Sequence, residues 1–511
     1  MAVSTYRHGT TWREVPTSIV APVVADAGVP FIVGSAPVQQ INSAVRPKPN
    51  SPRVYFSYED AVRELGYSDD WRSFTLCQAI YTYFALFNVG PIICSYINDT
   101  DNPLFHQPPK VDDPFTFRSG RVLYMDKNII PETLIVKDAV DDTIIYVEGT
   151  DYVGAWQQEP TDRVYRYTLT AIPGGAISTT TDVPVLCDFT QMQPRAVTKA
   201  DIIGGFDPAT GNTTGIEVVE DVFPMHRIVP GLLLAPFWSQ DPEVAAVLAA
   251  KADEINGCFR CITFTDIDSN VVRNVMDASG WKDLNNYVDE RQTALWPRVG
   301  MDQRDIWLSV EYGARMLLTN RDNNNVPVET PSNKTLRMNK TLVGGFQGND
   351  PANPAVEVVF SKAYGDMLNG QGICTAINWV GGWKAWGSNM ACYPNITDPK
   401  DRWMPLRNMT DWLGNTLVLT FFQKVDKPGN RRLIDSIIDT TNLYLNGLVA
   451  DGNCLGARVE FRHDENPDTA LIDGHYVFHV YEAFPIPAEW IEFILEFDIS
   501  YLSTLFGEEV A

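Results

Sequence analysis

W-I-E-F-I-L-E-F-D-I-S-Y, running from Trp490 to Tyr501, decides how this chain is read. Ile491, Phe493, Leu495, Phe497, Ile499 and Tyr501 alternate with Glu492, Glu496, Asp498 and Ser500, and only Ile494 breaks the pattern. Period-two alternation predicts a half-buried β-strand with one face on a core and one on water. Such a strand near a chain end is a hazard, because its unpaired N–H and C=O groups template other chains. It must either join a sheet of its own subunit or be donated to a neighbour. Donation points to a component of an assembly.

The rest of the composition agrees with that direction. At 511 residues the chain is too long for one ordinary core, and several domains are expected. A hydrophobic fraction of 45%, with 13 Trp, 20 Tyr and 24 Phe, describes a folded chain. The formal charge of −24 opposes nonspecific nucleic-acid binding, which needs clustered Lys and Arg, and keeps a concentrated subunit soluble. The longest apolar run, Cys77 to Tyr96, is broken by Gln78, Thr82, Asn88, Gly90 and Pro91, so no membrane-embedded segment is expected. The start, M-A-V-S-T-Y-R-H-G-T-T-W, lacks the basic and apolar regions of a signal peptide. Synthesis in the cytoplasm is therefore expected.

Eight cysteines are scattered along the chain. Cys258-Phe-Arg-Cys261 has redox or zinc spacing, but it ends a predicted helix instead of opening one, and no second pair completes a zinc site. All eight are read as buried structural thiols.

Residues 1–28 read as an extended arm, because Pro16, Pro22, Thr17, Val20, Val23 and Val24 discourage helix. Strand–helix–strand patterns over Pro30–Val38, Thr75–Phe87 and Pro91–Ile97 predict an α/β unit. Between 105 and 195 the texture becomes all-β, with strands at Thr133–Lys137, Thr143–Val147, Tyr165–Thr170 and Val183–Phe189. The α/β pattern then resumes: a strand at Ile228–Pro236, and a helix capped by Asp241 with Pro242 at its first position. Strands follow at Cys261–Thr265 and at Trp307–Val310, the latter running into a helix that ends by Asn320. From Trp412 a strand at Leu417–Phe422 precedes a helical stripe of Leu433, Ile434, Ile437, Ile438, Tyr444, Leu445 and Leu448. Strands at Ala457–Arg462 and Tyr476–Phe484 lead to the terminal one. The expected fold is multi-domain α/β and α+β. It has an arm (1–28), a central α/β domain (29–104 and 196–411) and an inserted all-β domain (105–195). A small α+β C-terminal domain (412–487) and a C-terminal strand or arm (488–511) complete it.

In this order the local patterns resemble the tail sheath proteins of contractile-tailed bacteriophages and their bacteriocin relatives. His8-Gly9-Thr10-Thr11-Trp12-Arg13-Glu14-Val15 is similar to the family's opening stretch, and Val24–Pro37 to the strand after it. Gly231–Gln240 resembles a central-domain segment, as do Ala314–Asn333 and Gly372–Met390. Arg431-Arg432 before a long helix, Glu465-Asn466-Pro467 and Gly474 fit the C-terminal domain. Departures include Thr11, Asn389 and Met390 at positions where the family often carries other residues.

The resemblance implies a structural subunit without enzymatic activity or cofactor. Such subunits stack as helically offset hexameric rings around a tail tube. Contraction drives that tube through the target envelope. The implied partners are copies of itself, the tail tube protein, and baseplate and tail terminator proteins; the implied location is the virion tail. Terminal arms in this family add strands to neighbouring subunits. The residues expected to do so here are Trp12, Val15, Val20 and Val23, with Ile491, Phe493, Leu495, Phe497, Ile499 and Tyr501. The family's central domain has been likened to the subtilisin fold. The alternative reading is another self-assembling virion protein, a tail tube or capsid-lattice component.

Candidate chemistry is sparse. Gly387-Ser388-Asn389-Met390-Ala391 imitates a subtilase serine motif, but Asn389 stands in the nucleophile's place. His8-Gly9-Thr10 imitates the histidine motif from within an arm. No P-loop occurs. His475 and His479 read as strand residues roughly 13 Å apart at about 3.3 Å per residue, not as a metal pair. Lys424, Lys427, Arg431 and Arg432 cluster ahead of a helix N-terminus, where positive charge is locally unfavourable. They either face an acidic tube surface or form a solvated end paired with acids such as Asp435.

Overall fold

The computed structural model describes residues 22–122, 125–159, 164–209, 211–346 and 352–506. Its centre is an eight-stranded sheet in the order Arg53–Tyr55, Ile92–Tyr96, Pro30–Gly34, Leu232–Leu234, Ile262–Asp266, Gln292–Leu295, Ile373–Trp379 and Gly382–Trp386. From Ile92–Tyr96 to Ile373–Trp379 the neighbours run parallel; the outermost strand on each side is antiparallel. Parallel strands are covered on both faces, which explains their continuous apolar runs. Ile32, Leu232, Leu234, Ile262 and Phe264 face the helices Thr75–Ile80 and Leu308–Asp322. Phe31, Val33, Ile93 and Leu233 face the helix Pro242–Asp253 through Val244 and Leu248. Asp241 caps that helix as expected, accepting from the Glu243 N–H at 3.0 Å.

Between Lys110 and Phe189 lie two antiparallel sheets around a core that includes Phe117, Val136, Tyr167, Leu169 and Val185. The expected strands appear there, with Val183–Phe189 matching residue for residue. Three more, Lys110–Phe117, Arg121–Val122 and Tyr152–Gln158, are added by the structure. The chain enters and leaves this region side by side: Gln193 N–H donates to Phe105 O at 2.6 Å, and Gln107 N–H to Gln191 O at 2.9 Å.

Three local expectations are corrected. Leu308–Val310 belongs to the helix Leu308–Asp322, not to a strand; the strand before it is Arg304–Ile306. Its apolar run is buried all round, so periodicity cannot separate the two. Leu417–Phe421 is the last part of the helix Met404–Phe421, which runs through Trp412 and has Pro405 in its first turn. Its β-branched and aromatic composition suggested a strand, but packing overrides propensity. Cys258 is exposed, while the other seven cysteines are buried and free.

The C-terminal region is built on two helices, Met404–Phe421 and Arg431–Ala450. A two-stranded antiparallel sheet of Gly456–Glu460 and His479–Ala483 packs with them. Asn466 is buried and ties the connection together, bonding the Val477 N–H and the carbonyls of Val477 and Arg462 at 2.7–2.9 Å. A buried ion network fixes Met404–Phe421 to the central sheet. Arg407 Nη2 and Arg291 Nη2 both donate to Asp411 Oδ1, at 2.8 and 3.3 Å. Burial pushes the Asp411 carboxyl up, opposed by the Arg407 and Arg291 guanidiniums.

Candidate assembly interface

Residues 490–501 join none of the described sheets. From Glu489 to Asp498 the chain has no regular secondary structure, and every residue from Glu489 to Ser500 is exposed. Phe493 is 84% and Leu495 94% exposed. The expected strand over Trp490–Tyr501 is not formed in the subunit: the chain is irregular to Asp498, and Ile499–Phe506 forms a 3-10 helix. Asp498 Oδ1 accepts from both N–H and Oγ of Ser500, at 2.9 and 2.6 Å, a local turn that competes with extended chain. The apolar set of the alternation therefore has no core within the described subunit.

The two-stranded sheet has the opposite deficiency. Asn442, on the helix Arg431–Ala450, accepts the Val459 N–H at 3.0 Å, which caps the outer side of Gly456–Glu460. Val459 lies opposite Val480. In an antiparallel ladder, a residue whose N–H points away from its partner belongs to a non-hydrogen-bonded pair. The N–H and C=O of Val480 therefore also point outward. His479–Ala483 is the open edge, and among the described residues no third strand lies against it.

The sheet's inner face is also incompletely covered. Phe461, Phe478 and Tyr476 cluster, with ring centroids 5.2 and 6.4 Å from Phe461. They remain half-buried, as do Leu433, Ile434, Ile437 and Ile438 of the long helix. Two strands spaced about 4.8 Å apart do not cover a helix roughly 10–12 Å across.

Of the arm residues expected from the sequence, Trp12, Val15 and Val20 lie outside the described residues. Val23 is half-exposed and anchored by its N–H to Thr420 Oγ1 at 2.9 Å. Ala25 N–H follows to Thr416 Oγ1 at 3.1 Å, and Trp412 Nε1 donates to Ala25 O at 2.8 Å. The described N-terminal segment thus runs along the helix Met404–Phe421.

Lys424, Lys427, Arg431 and Arg432 come together on the connection between the two C-terminal helices, beside exposed Phe422 and Val425. Arg431 pairs with Asp435 at 2.9 Å, and Lys424 Nζ reaches Ser436 Oγ at 3.3 Å. Lys427 and Arg432 are exposed.

A groove of about 800 Å³ opens between the central sheet and the root of the C-terminal arm, lined by Trp386, Ser388, Trp403, Pro485, Pro487 and Ile491. Asn389 is buried beside it, donating to Asn369 O at 3.0 Å and accepting from Arg402 Nε at 2.9 Å. The two histidines do not share a strand as expected. His475 is exposed in the turn after the helix Asp468–Ile472, and His479 Nδ1 meets Glu465 Oε1 at 2.8 Å. Among the described residues no cluster of His, Cys, Asp and Glu has the makings of a metal site, and no helix is long and apolar enough to cross a membrane.

The chain is 25% identical over 509 residues to the tail sheath protein of Burkholderia phage BcepMu, covering 98% of this chain and 99% of that one. In sequence the chain is thus similar to a phage tail sheath protein. The sheath of the extracellular contractile injection system PVC, in its contracted state, shares the fold with a TM-score of 0.54 at 12% identity, over 98% of this chain and all of that one. The helical sheath of the anti-feeding prophage, also contracted, matches at 0.53 and 12% identity over 98% and 100%. A chain of the contracted anti-feeding prophage baseplate matches at 0.56 and 11% identity over 97% and 100%. No family model matches the chain. Asn442, Val480, Arg402 and Glu489 were not singled out from the sequence; only Asn442, a polar residue within an apolar helical stripe, carried a signal.

Proposed function

We propose that this chain is the sheath subunit of a contractile tail or injection apparatus. It would polymerise as stacked hexameric rings around a tail tube and shorten to drive the tube through a target envelope. The full-length sequence likeness to a phage tail sheath protein carries this reading. The exposed arm and the open edge His479–Ala483 supply complementary halves of a contact between copies.

Strand donation is the linkage. The apolar positions Ile491, Phe493, Leu495 and Phe497 would cover a neighbour's half-exposed Phe478 and Ile437 face, while backbone groups pair along the open edge. Each large apolar side chain buried this way contributes about 1.5–3 kcal/mol before the cost of ordering the arm. Such contacts are heterologous and extend into helical filaments. The N-terminal arm, through Trp12, Val15 and Val20, would act in the same way.

The central sheet is the subtilisin-like element of this reading, the region 105–195 decorates the outside, and Lys427 and Arg432 face an acidic tube. Tube, baseplate and terminator proteins are the partners, with assembly in the host cytoplasm. The subunit performs no catalysis; the stroke draws on energy held in subunit interfaces. Mixing the purified subunit with its cognate tube tests the reading: a sheath whose length follows the tube supports it, and failure to coat the tube opposes it.

A further inference from the structure

We propose that Arg402 is a positioning residue that aims the C-terminal arm out of the subunit. This rests on the reading of residues 490–506 as the donated segment. Arg402 Nη2 meets Glu489 Oε2 at 3.2 Å, one residue before the segment read as donated begins at Trp490. The guanidinium is held from the other side as well. It lies 4.2 Å from the ring centroids of both Tyr393 and Trp403, and its Nε donates to buried Asn389 at 2.9 Å. The backbone is equally fixed: Met390 N–H donates to Arg402 O at 2.8 Å, and Met404 N–H to Ser388 O at 2.9 Å. Residues 388–390 follow the last strand of the central sheet, Gly382–Trp386. The arm root is therefore tied to the edge of the rigid core through one side chain.

Leverage makes this contact matter. Nine residues of non-helical chain, Trp490 to Asp498, reach at most about 30 Å from the clamp at roughly 3.3 Å each. Pro485 and Pro487 stiffen the approach by fixing φ, and Glu489 sets the take-off beyond them. An arm held in one direction presents its strand at a higher effective concentration to a neighbour's open edge.

The test uses the full chain with Cys258→Ser, which removes the one exposed thiol, and spin labels at Ile396→Cys and Glu496→Cys. The expected parent distance distribution is narrow. Glu489→Ala, a change on the exposed arm that leaves the core intact, broadens it and slows polymerisation about two- to fivefold. Arg402→Lys keeps the charge without the stacking and gives an intermediate result. An unchanged distribution, or an unchanged rate despite a broadened one, overturns the positioning role. Normal polymerisation of a chain truncated before Trp490 would instead overturn strand donation itself.

Discussion

The Val459 N–H donates to Asn442 Oδ1 at 3.0 Å, so a side chain of the long C-terminal helix occupies one edge of the terminal sheet and leaves the other edge open. This asymmetry dictates where a neighbour's strand can add. Val480→Pro removes an outward N–H that the hairpin itself does not use, and edge strands tolerate proline there. The variant is expected to stay folded by circular dichroism yet fail to polymerise in light scattering. Tyr481→Pro, one residue on, breaks a bond inside the hairpin and should unfold it. Asn442→Ala uncovers the second edge and should promote irregular aggregation.

Leu495 is 94% exposed in the subunit. Leu495→Asp should therefore change the unfolding free energy of the isolated chain, read from urea titration, by no more than about 0.5 kcal/mol. It should abolish polymer in sedimentation, because the aspartate would enter a neighbour's apolar face unpaired.

Glu311 is fully buried on the helix Leu308–Asp322, and burial pushes its carboxyl up to about 8, opposed by the backbone N–H and the charge of Arg337. Its folded-state value lies above the unfolded one. The stability it contributes is complete below the unfolded value of 4.5 and is lost as pH rises toward 8, by at most about 1.4 kcal/mol per pH unit. Glu311→Gln stays neutral throughout. Urea titrations at pH 5 to 9 should show the variant gaining on the parent across that window, and parallel curves would refute the assignment.

What the sequence disclosed followed periodicity and capping. The stripe from Leu433 to Leu448 became one helix, Asp241-Pro242 opened another, and Val183–Phe189 was a strand to the residue. Periodicity failed where burial is all-round, as at Leu308–Val310, and where β-type residues sit in a packed helix, as at Leu417–Phe421. Lys110–Phe117 was missed: Asp112, Asp113 and Pro114 are residue types depleted in strands, although the segment lies along Val183–Phe189. At the candidate interface the alternation from Ile491 marked a segment that the structure leaves exposed. The acceptor edge depends on Asn442 meeting Val459, a contact that no spacing rule foretells.

The exposed pair Lys427 and Arg432 supplies a test of the proposal that this surface faces the tube. Lys427→Glu with Arg432→Glu reverses charge away from the Arg431–Asp435 pair. The double variant is expected to polymerise alone but to coat the cognate tube poorly, and the parent's coating should weaken with salt.

The most direct measurement is negative-stain electron microscopy of the full chain beside a chain truncated before Trp490, each with and without the cognate tube. Striated hollow cylinders are expected from the full chain and dispersed subunits from the truncated one. Cylinders from both, or a full chain that stays dispersed even on its tube, would contradict this expectation.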